Sequence, residues 1–169
     1  TMSYSQVLAP AIELAEGGFP VYEGLHNALV GNQTRFTEEY PTSGDVYLPG
    51  GRVPEVGELF RNIDFANTLK TMCAAEDSAK HKGRVAGIEA ARDAFYQGEI
   101  AERLVQAVQQ HGGIWTLDDL QRYEVKLRQP IKGHYQGYTI TSATLPSSGG
   151  IVMVNALNQL SAFDLSDTD

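Results

Sequence analysis

Leu145-Pro146-Ser147-Ser148-Gly149-Gly150, running into Ile151-Val152-Met153-Val154-Asn155-Ala156-Leu157-Asn158-Gln159-Leu160, is a hydroxyl- and glycine-rich turn that opens an apolar helix. Its reading decides the fold, because strand spacing precedes it and helical spacing follows it. A helix start leaves backbone N–H groups without intrahelical acceptors, at the positive end of the aligned peptide dipoles. Two serine hydroxyls and two residues without Cβ add donors and room there, so an anionic group can approach closely. A plainer reading makes Ser147 or Ser148 the N-cap, with the glycines permitting the turn. Sequence alone leaves both readings open.

Upstream of the turn the period is two. Tyr123, Val125 and Leu127 alternate with charged residues, and Tyr138, Ile140 and Ser142 alternate after Gly137, which predicts two or three antiparallel strands. Thr116, with Asp119 three residues later, has the form of a capping box for a short helix through Gln121. Everything earlier reads as helix and loop. Val7, Leu8, Ala11, Ile12 and Ala15 form a first helical face, stopped by Gly17-Gly18 and Pro20, with Pro10 kinking it or starting a second helix. A helix over 22–30 is expected to stop at Gly31-Asn32-Gln33, and residues 32–57 have loop composition. The next helix is expected from Val56 or Glu58 to Ala75, burying Leu59, Phe60, Ile63, Ala66, Leu69, Met72 and Cys73. Residues 76–87 are charged and alanine-rich and read as a solvated helical excursion. Helices over 88–96 and 99–111 follow, the second with a stripe of Ile100, Leu104, Ala107 and Val108. The fold class is therefore α+β, mainly helical with a small antiparallel strand set, in a single domain over 1–169.

Thirteen basic against twenty-one acidic residues give a formal charge of −8 with the basic residues scattered, which disfavours nucleic acid or an anionic membrane as partner. No apolar run is long enough to cross a bilayer, so no membrane contact is expected from this segment. Cys73 is the single cysteine, which excludes an internal disulfide; its helical neighbours Leu69 and Met72 suggest a buried structural thiol. His26, His81, His111 and His134 lie far apart, without a ligand-type partner at helical spacing, so no metal site and no cofactor are expected. There is no Gly-x-Ser-x-Gly elbow, and the Ser-Gly-Gly lacks the lysine of a phosphate-binding loop. Asp118-Asp119 reads as a pair serving the helix dipole and the cap rather than as paired catalytic acids.

The turn does not stand alone. Ala9-Pro10-Ala11-Ile12-Glu13-Leu14-Ala15, Gly17-Gly18-Phe19-Pro20-Val21, Ala94-Phe95-Tyr96-Gln97-Gly98-Glu99-Ile100-Ala101 and Gly112-Gly113 come before it. So do Thr116 to Tyr123, Pro130 and Tyr135-Gln136-Gly137-Tyr138, while Leu157-Asn158 and Phe163-Asp164-Leu165 close the series. In order and wording this series resembles the γ-glutamyltransferase family, also called γ-glutamyltranspeptidase or glutathione hydrolase, over nearly the whole chain. Pro146 to Gly150 match the family motif, with Leu145 standing where a further proline is common. Residues 76–93 look extended beside the shorter connection of many members.

The resemblance implies a piece of the large subunit of an N-terminal-nucleophile hydrolase with an α/β/β/α core. In such enzymes a precursor cleaves itself to expose a threonine, whose hydroxyl attacks the γ-glutamyl amide with its own α-amino group as base. The γ-glutamyl group then passes to water, an amino acid or a peptide, and backbone N–H groups of the small subunit hold the oxyanion. Implied partners are that small subunit and glutathione or another γ-glutamyl donor; acylase-type amides are a further donor class. A periplasmic or extracellular location is implied in the same way.

By the same resemblance, Ser147, Ser148, Gly149 and Gly150 form a substrate-binding, pocket-adjacent turn, and no catalytic residue falls within the chain. Thr1 is read as an interior residue of the large subunit rather than the nucleophile. The donor-binding arginine is expected upstream of it, and the self-cleavage point beyond Ser166-Asp167-Thr168-Asp169. The chain by itself is expected to be inactive and to expose apolar faces. The alternative is a non-catalytic helical interaction or scaffold module derived from the same fold, with residues 32–57 as its contact surface.

Overall fold

Ser3 starts the first helix, α1 (Tyr4–Gly17), with a reciprocal capping box: its Oγ accepts from the Gln6 N–H at 3.1 Å and Gln6 Oε1 accepts from the Ser3 N–H at 2.8 Å. The structure is a computed structural model and describes residues 2–165; Thr1 and residues 166–169, with the expectations attached to them, lie outside the described residues. The chain divides into two compact units, Thr1–Tyr123 and Glu124–Asp169.

In the first unit α1 runs unbroken through Pro10, so the expected start of a second helix there is not formed. Proline forfeits one hydrogen bond but its fixed φ is helical, and the first turn of α1 is held from outside. That hold is Glu76. Its Oε1 accepts from the Tyr4 N–H at 2.8 Å, and its Oε2 accepts from the Ser5 N–H and the Ser5 hydroxyl, both at 3.0 Å. Gly18 ends α1 at φ 92°, a backbone conformation that a side chain strains, and any Cβ there would meet Arg61 Cγ and the Phe60 carbonyl.

The reason for that close approach is a short antiparallel pair, β1 (Phe19–Pro20) with β2 (Leu59–Phe60), in register Phe19↔Phe60 and Pro20↔Leu59. Leu59 and Phe60 thus belong to a strand rather than to the helix expected there. Between the two strands, α2 (Glu23–Glu38) passes straight through the predicted stop at Gly31-Asn32-Gln33. Asn32 Nδ2 donates to the Ala28 carbonyl at 2.8 Å, turning its polar group back along the helix instead of ending it. The added turns carry Phe36 onto Tyr47 at 5.7 Å, and Tyr47 stacks on Phe60 at 5.6 Å. Tyr47 lies on α3 (Pro41–Tyr47), which a 3₁₀ turn over Pro49–Gly51 follows, so most of the segment expected as loop is helical.

Asn62 caps α4 (Ile63–Ala79), its Oδ1 accepting from the Phe65 N–H at 3.0 Å. The buried face of α4 is Ala66, Leu69 and Glu76, while Leu59 and Ile63, both expected inside, are exposed. Cys73 is half-buried. A 3₁₀ turn over Lys80–Lys82 leads to α5 (Arg84–Tyr96), which packs on α4, as α1 does. Gly87 permits that packing: a Cβ there would lie 3.2 Å from Glu76 Cγ. The region expected to be a solvated excursion is helical, but its ends, Glu76 and Gly87, are buried. The last two helices of this unit are α6 (Glu99–Gln110) and α7 (Leu117–Gln121). The buried stripe of α6 is Ile100, Ala101 and Val105, about one residue around the helix from the predicted one, with Ala107 exposed.

The second unit contains a hairpin, β3 (Ile131–Tyr135) with β4 (Tyr138–Ser142), and α8 (Gly149–Leu160) packed on it. Tyr135 pairs with Tyr138, and the two turn residues between them, Gln136 and Gly137, both have positive φ, as a hairpin following the right-handed strand twist requires. Residues 123–127 form no strand, against expectation, since no backbone ladder reaches them among the described residues. The overall class is as expected: mainly helical, with small antiparallel sheets.

Glu76 makes the fold sensitive to acid. The Tyr4 and Ser5 N–H groups hold its carboxyl below the usual carboxylate range, so its contribution is complete above that range and is lost as pH falls through the lowered value. Glu76→Gln is therefore expected to lower Tm at neutral pH, and the gap to the unsubstituted chain is expected to narrow below about pH 4. Thermal melts followed by circular dichroism at several pH values measure this; a gap independent of pH would contradict an ionised cap.

Candidate functional site

The Ser-Ser-Gly-Gly turn is built by close packing rather than by side-chain capping. Strand β4 ends at Ser142, the Leu145–Pro146 peptide is cis, and the Ser147 N–H donates to the Thr144 carbonyl at 3.1 Å. Ser148 occupies the N-cap position of α8 in a helical backbone conformation, and its side chain makes no capping bond. The first helical bond runs from the Val152 N–H to the Ser148 carbonyl at 3.0 Å, so the amides of Gly149, Gly150 and Ile151 precede the ladder. No acidic residue lies in the first turn. Among the described residues the Ser147 and Ser148 hydroxyls have no hydrogen-bond partner, and both residues are exposed.

The two glycines differ. Gly150 is buried, and a Cβ on it would overlap the Ala143 carbonyl oxygen and lie 2.9 Å from Ile131 Cγ2 and 3.0 Å from Ser142 Oγ. Its bare backbone lets α8 lie against the hairpin, as does that of Gly133, where a Cβ would lie 2.8 Å from Val154 Cγ1. Gly149 is exposed, and a Cβ there would find only Ser147 Oγ, at 3.9 Å. Packing within this unit therefore explains Gly150 and does not explain Gly149.

The arrangement offers two free hydroxyls beside an uncapped helix start, which suits hydrogen bonding to an anionic or carbonyl oxygen. It does not offer a nucleophile in place, because among the described residues neither serine has a base within hydrogen-bond reach. The other polar candidates are committed locally. Asp119 Oδ2 accepts from the Thr116 N–H at 2.9 Å and the Thr116 hydroxyl at 2.7 Å, which holds its carboxyl below the usual range. It also lines a concavity of about 630 Å³ with Phe95, Tyr96, Leu104, Trp115, Leu120 and Tyr123, but as a cap rather than a free base. His26 Nδ1 meets the Pro54 carbonyl at 2.9 Å, and His134 Nδ1 meets Thr139 Oγ1 at 3.3 Å. Among the described residues no three His, Cys, Asp or Glu side chains are grouped as a metal would need. Among the described residues Glu76 is the buried polar side chain whose role sequence reading missed; its only signal was a charge at the heptad step from Leu69.

Solved structures place this fold among N-terminal-nucleophile acyl-transferring enzymes. The crystal structure of the Helicobacter pylori γ-glutamyltranspeptidase matches 98% of this chain and 43% of its own, with a TM-score of 0.80 and 34% identity. The family model described as gamma-glutamyltranspeptidase matches residues 1–169, and the chain belongs to that family. A glutathione hydrolase proenzyme of Bacillus subtilis is 36% identical over 169 residues, and an acylase ACY 1 proenzyme of a Pseudomonas species is 33% identical over 165. The chain spans only 26% and 27% of those two relatives' lengths.

The glycine contrast is measurable. Gly150→Ala is expected to destabilise by about 1–3 kcal/mol through overpacking, whereas Gly149→Ala is expected to be neutral or stabilising by up to ~1 kcal/mol. Urea unfolding of the two variants separates them; equal losses would show that the turn, not the helix contact, demands both glycines.

Proposed function

We propose that this chain is the middle to C-terminal part of the large subunit of an enzyme that transfers or hydrolyses the γ-glutamyl group of glutathione and related compounds. The observation that carries this is the match to the γ-glutamyltranspeptidase family along the whole chain, with a relative named as a glutathione hydrolase proenzyme. On this reading residues 1–169 serve as one domain of the parent protein. The nucleophilic threonine lies in a partner small subunit, and the parent acts in the periplasm or outside the cell. Among the described residues no helix is long and apolar enough to cross a membrane.

Within that enzyme the proposed role of the Ser147–Gly150 turn is to border the donor pocket. Support comes from what the fold leaves unused: two unbonded hydroxyls and an exposed Gly149 that packing does not require. A donor carboxylate, or a backbone carbonyl of the small subunit, would find donors there. Because relatives include a protein named as an acylase, the donor is a γ-glutamyl amide in the first reading and another acyl amide in the second. Nothing in the matches favours a non-catalytic scaffold.

The parent polypeptide, expressed whole, is expected to release the aniline from a chromogenic γ-glutamyl anilide, and the 169-residue chain is expected to release none. Parent protein that cleaves only a glutaryl or other acyl amide would move the assignment to the acylase reading. In the parent, Ser147→Ala and Ser148→Ala are expected to raise donor KM or slow maturation, with stability changed by less than ~0.5 kcal/mol, since no cap bond is lost. Unchanged KM and maturation would remove the turn from the pocket.

A further inference from the structure

The concavity beside α7 combines aromatic rings with one carboxylate. Phe95, Tyr96, Trp115 and Tyr123 line it together with Asp119, and the other lining residues are two leucines. Its volume of about 630 Å³ lies within the range of small-ligand sites, roughly 300–1,000 Å³. The walls are set before any ligand arrives. The rings of Tyr96 and Tyr123 stack at 5.2 Å, only 6° from parallel, and Phe95 meets Tyr96 edge-on at 5.0 Å. Gln109 Nε2 donates to the Trp115 carbonyl at 2.6 Å, and the capping box with Thr116 fixes Asp119. A preformed site spares the cost of ordering side chains on binding. Trp115 and Tyr123 are still 47% and 58% exposed, so ring surface remains open to a ligand.

Charge decides what that ligand is. Both capping bonds fall on Asp119 Oδ2, and among the described residues Oδ1 has no hydrogen-bond partner. Those bonds hold the carboxyl below its usual range, so it is ionised at neutral pH. Arg122, whose charge reaches Asp119, pairs with Asp118 at 2.6 Å instead, and no basic residue lines the concavity. Aromatic faces and a carboxylate both attract a cation. A primary ammonium would bring three N–H groups to walls that are mostly apolar, whereas a quaternary ammonium brings none. We propose that this concavity binds an organic cation of the quaternary ammonium class, its methyl groups against the rings of Trp115 and Tyr123 and its charge beside Asp119 Oδ1. The proposal goes beyond the γ-glutamyl reading and does not rest on it, because it uses no residue of the Ser147–Gly150 turn and no step of acyl transfer.

Isothermal titration calorimetry on the parent polypeptide tests this, since any segment that covers the concavity is present there. The probes are choline and 3,3-dimethylbutan-1-ol, which share a shape and differ in charge. Choline is expected to bind saturably and about 10-fold or more tighter than the alcohol. Asp119→Asn and Trp115→Leu are each expected to remove that preference, which a purely structural role for either residue would leave in place. Trp115→Leu spares the cap of α7, so it decides the matter if Asp119→Asn fails to fold. Absence of saturable choline binding would overturn the proposal, and so would equal affinity for the two probes, which would make the hollow merely apolar. Choline binding unaltered by both substitutions would put the cation elsewhere and overturn it too. Enzyme activity plays no part in these readouts, so an inactive parent that binds choline through Trp115 would sink the function and leave this site standing.

Discussion

A carboxylate 5% exposed on α4, that of Glu76, closes the helix start of α1, and the architecture of the first unit depends on it. Helix starts present N–H groups that must find acceptors, and here the acceptor comes from 72 residues away in sequence. The same contact sets which face of α4 is buried and where α5 approaches, since Gly87 of α5 lies against Glu76 Cγ. Arg84 adds its charge to this corner and donates to the Met2 carbonyl at 2.6 Å, tying the start of α5 to the residues before α1. One ionised side chain thereby locks three helices.

In the second unit the organising constraint is spatial rather than electrostatic. Helix α8 lies on the hairpin only because Gly133 and Gly150 carry no Cβ, each facing atoms under 3 Å from where one would be. That leaves the serines and Gly149 of the same motif outside the packing, on the exposed side of the turn. A motif read as a unit in sequence thus separates into a structural half and a half free for other contacts. The separation gives the proposed pocket role its physical content, because only the free half is available to a ligand or a partner subunit.

Membership of the γ-glutamyltranspeptidase family adds what neither unit contains. Among the described residues no serine, histidine or carboxylate is assembled as nucleophile and base, and the acidic and histidine side chains that sequence singles out are caps or locally bonded. On the proposed reading, the catalytic residues come from elsewhere in the parent protein. The chain covers about a quarter of the Bacillus subtilis relative's length.

Much of this was legible from local order. The capping box at Thr116 and Asp119, the strand after the Gly137 break, helices α5 to α8 and the family motif depend on neighbours within a few residues, and short-range spacing records them. Where reading failed, a distant contact had outweighed a local preference. Phe36 stacking on Tyr47 carried α2 past Gly31 and Asn32; pairing with Phe19 made Phe60 a strand residue; and the Tyr4 and Ser5 amides drew Glu76 inside. By itself the sequence determined the class, the family and the place of the Ser-Ser-Gly-Gly turn, because periodicity and motif order are local properties. Only the tertiary structure decided that Gly150 serves packing while Ser147, Ser148 and Gly149 stay free, because that depends on which atoms of the hairpin meet the helix start.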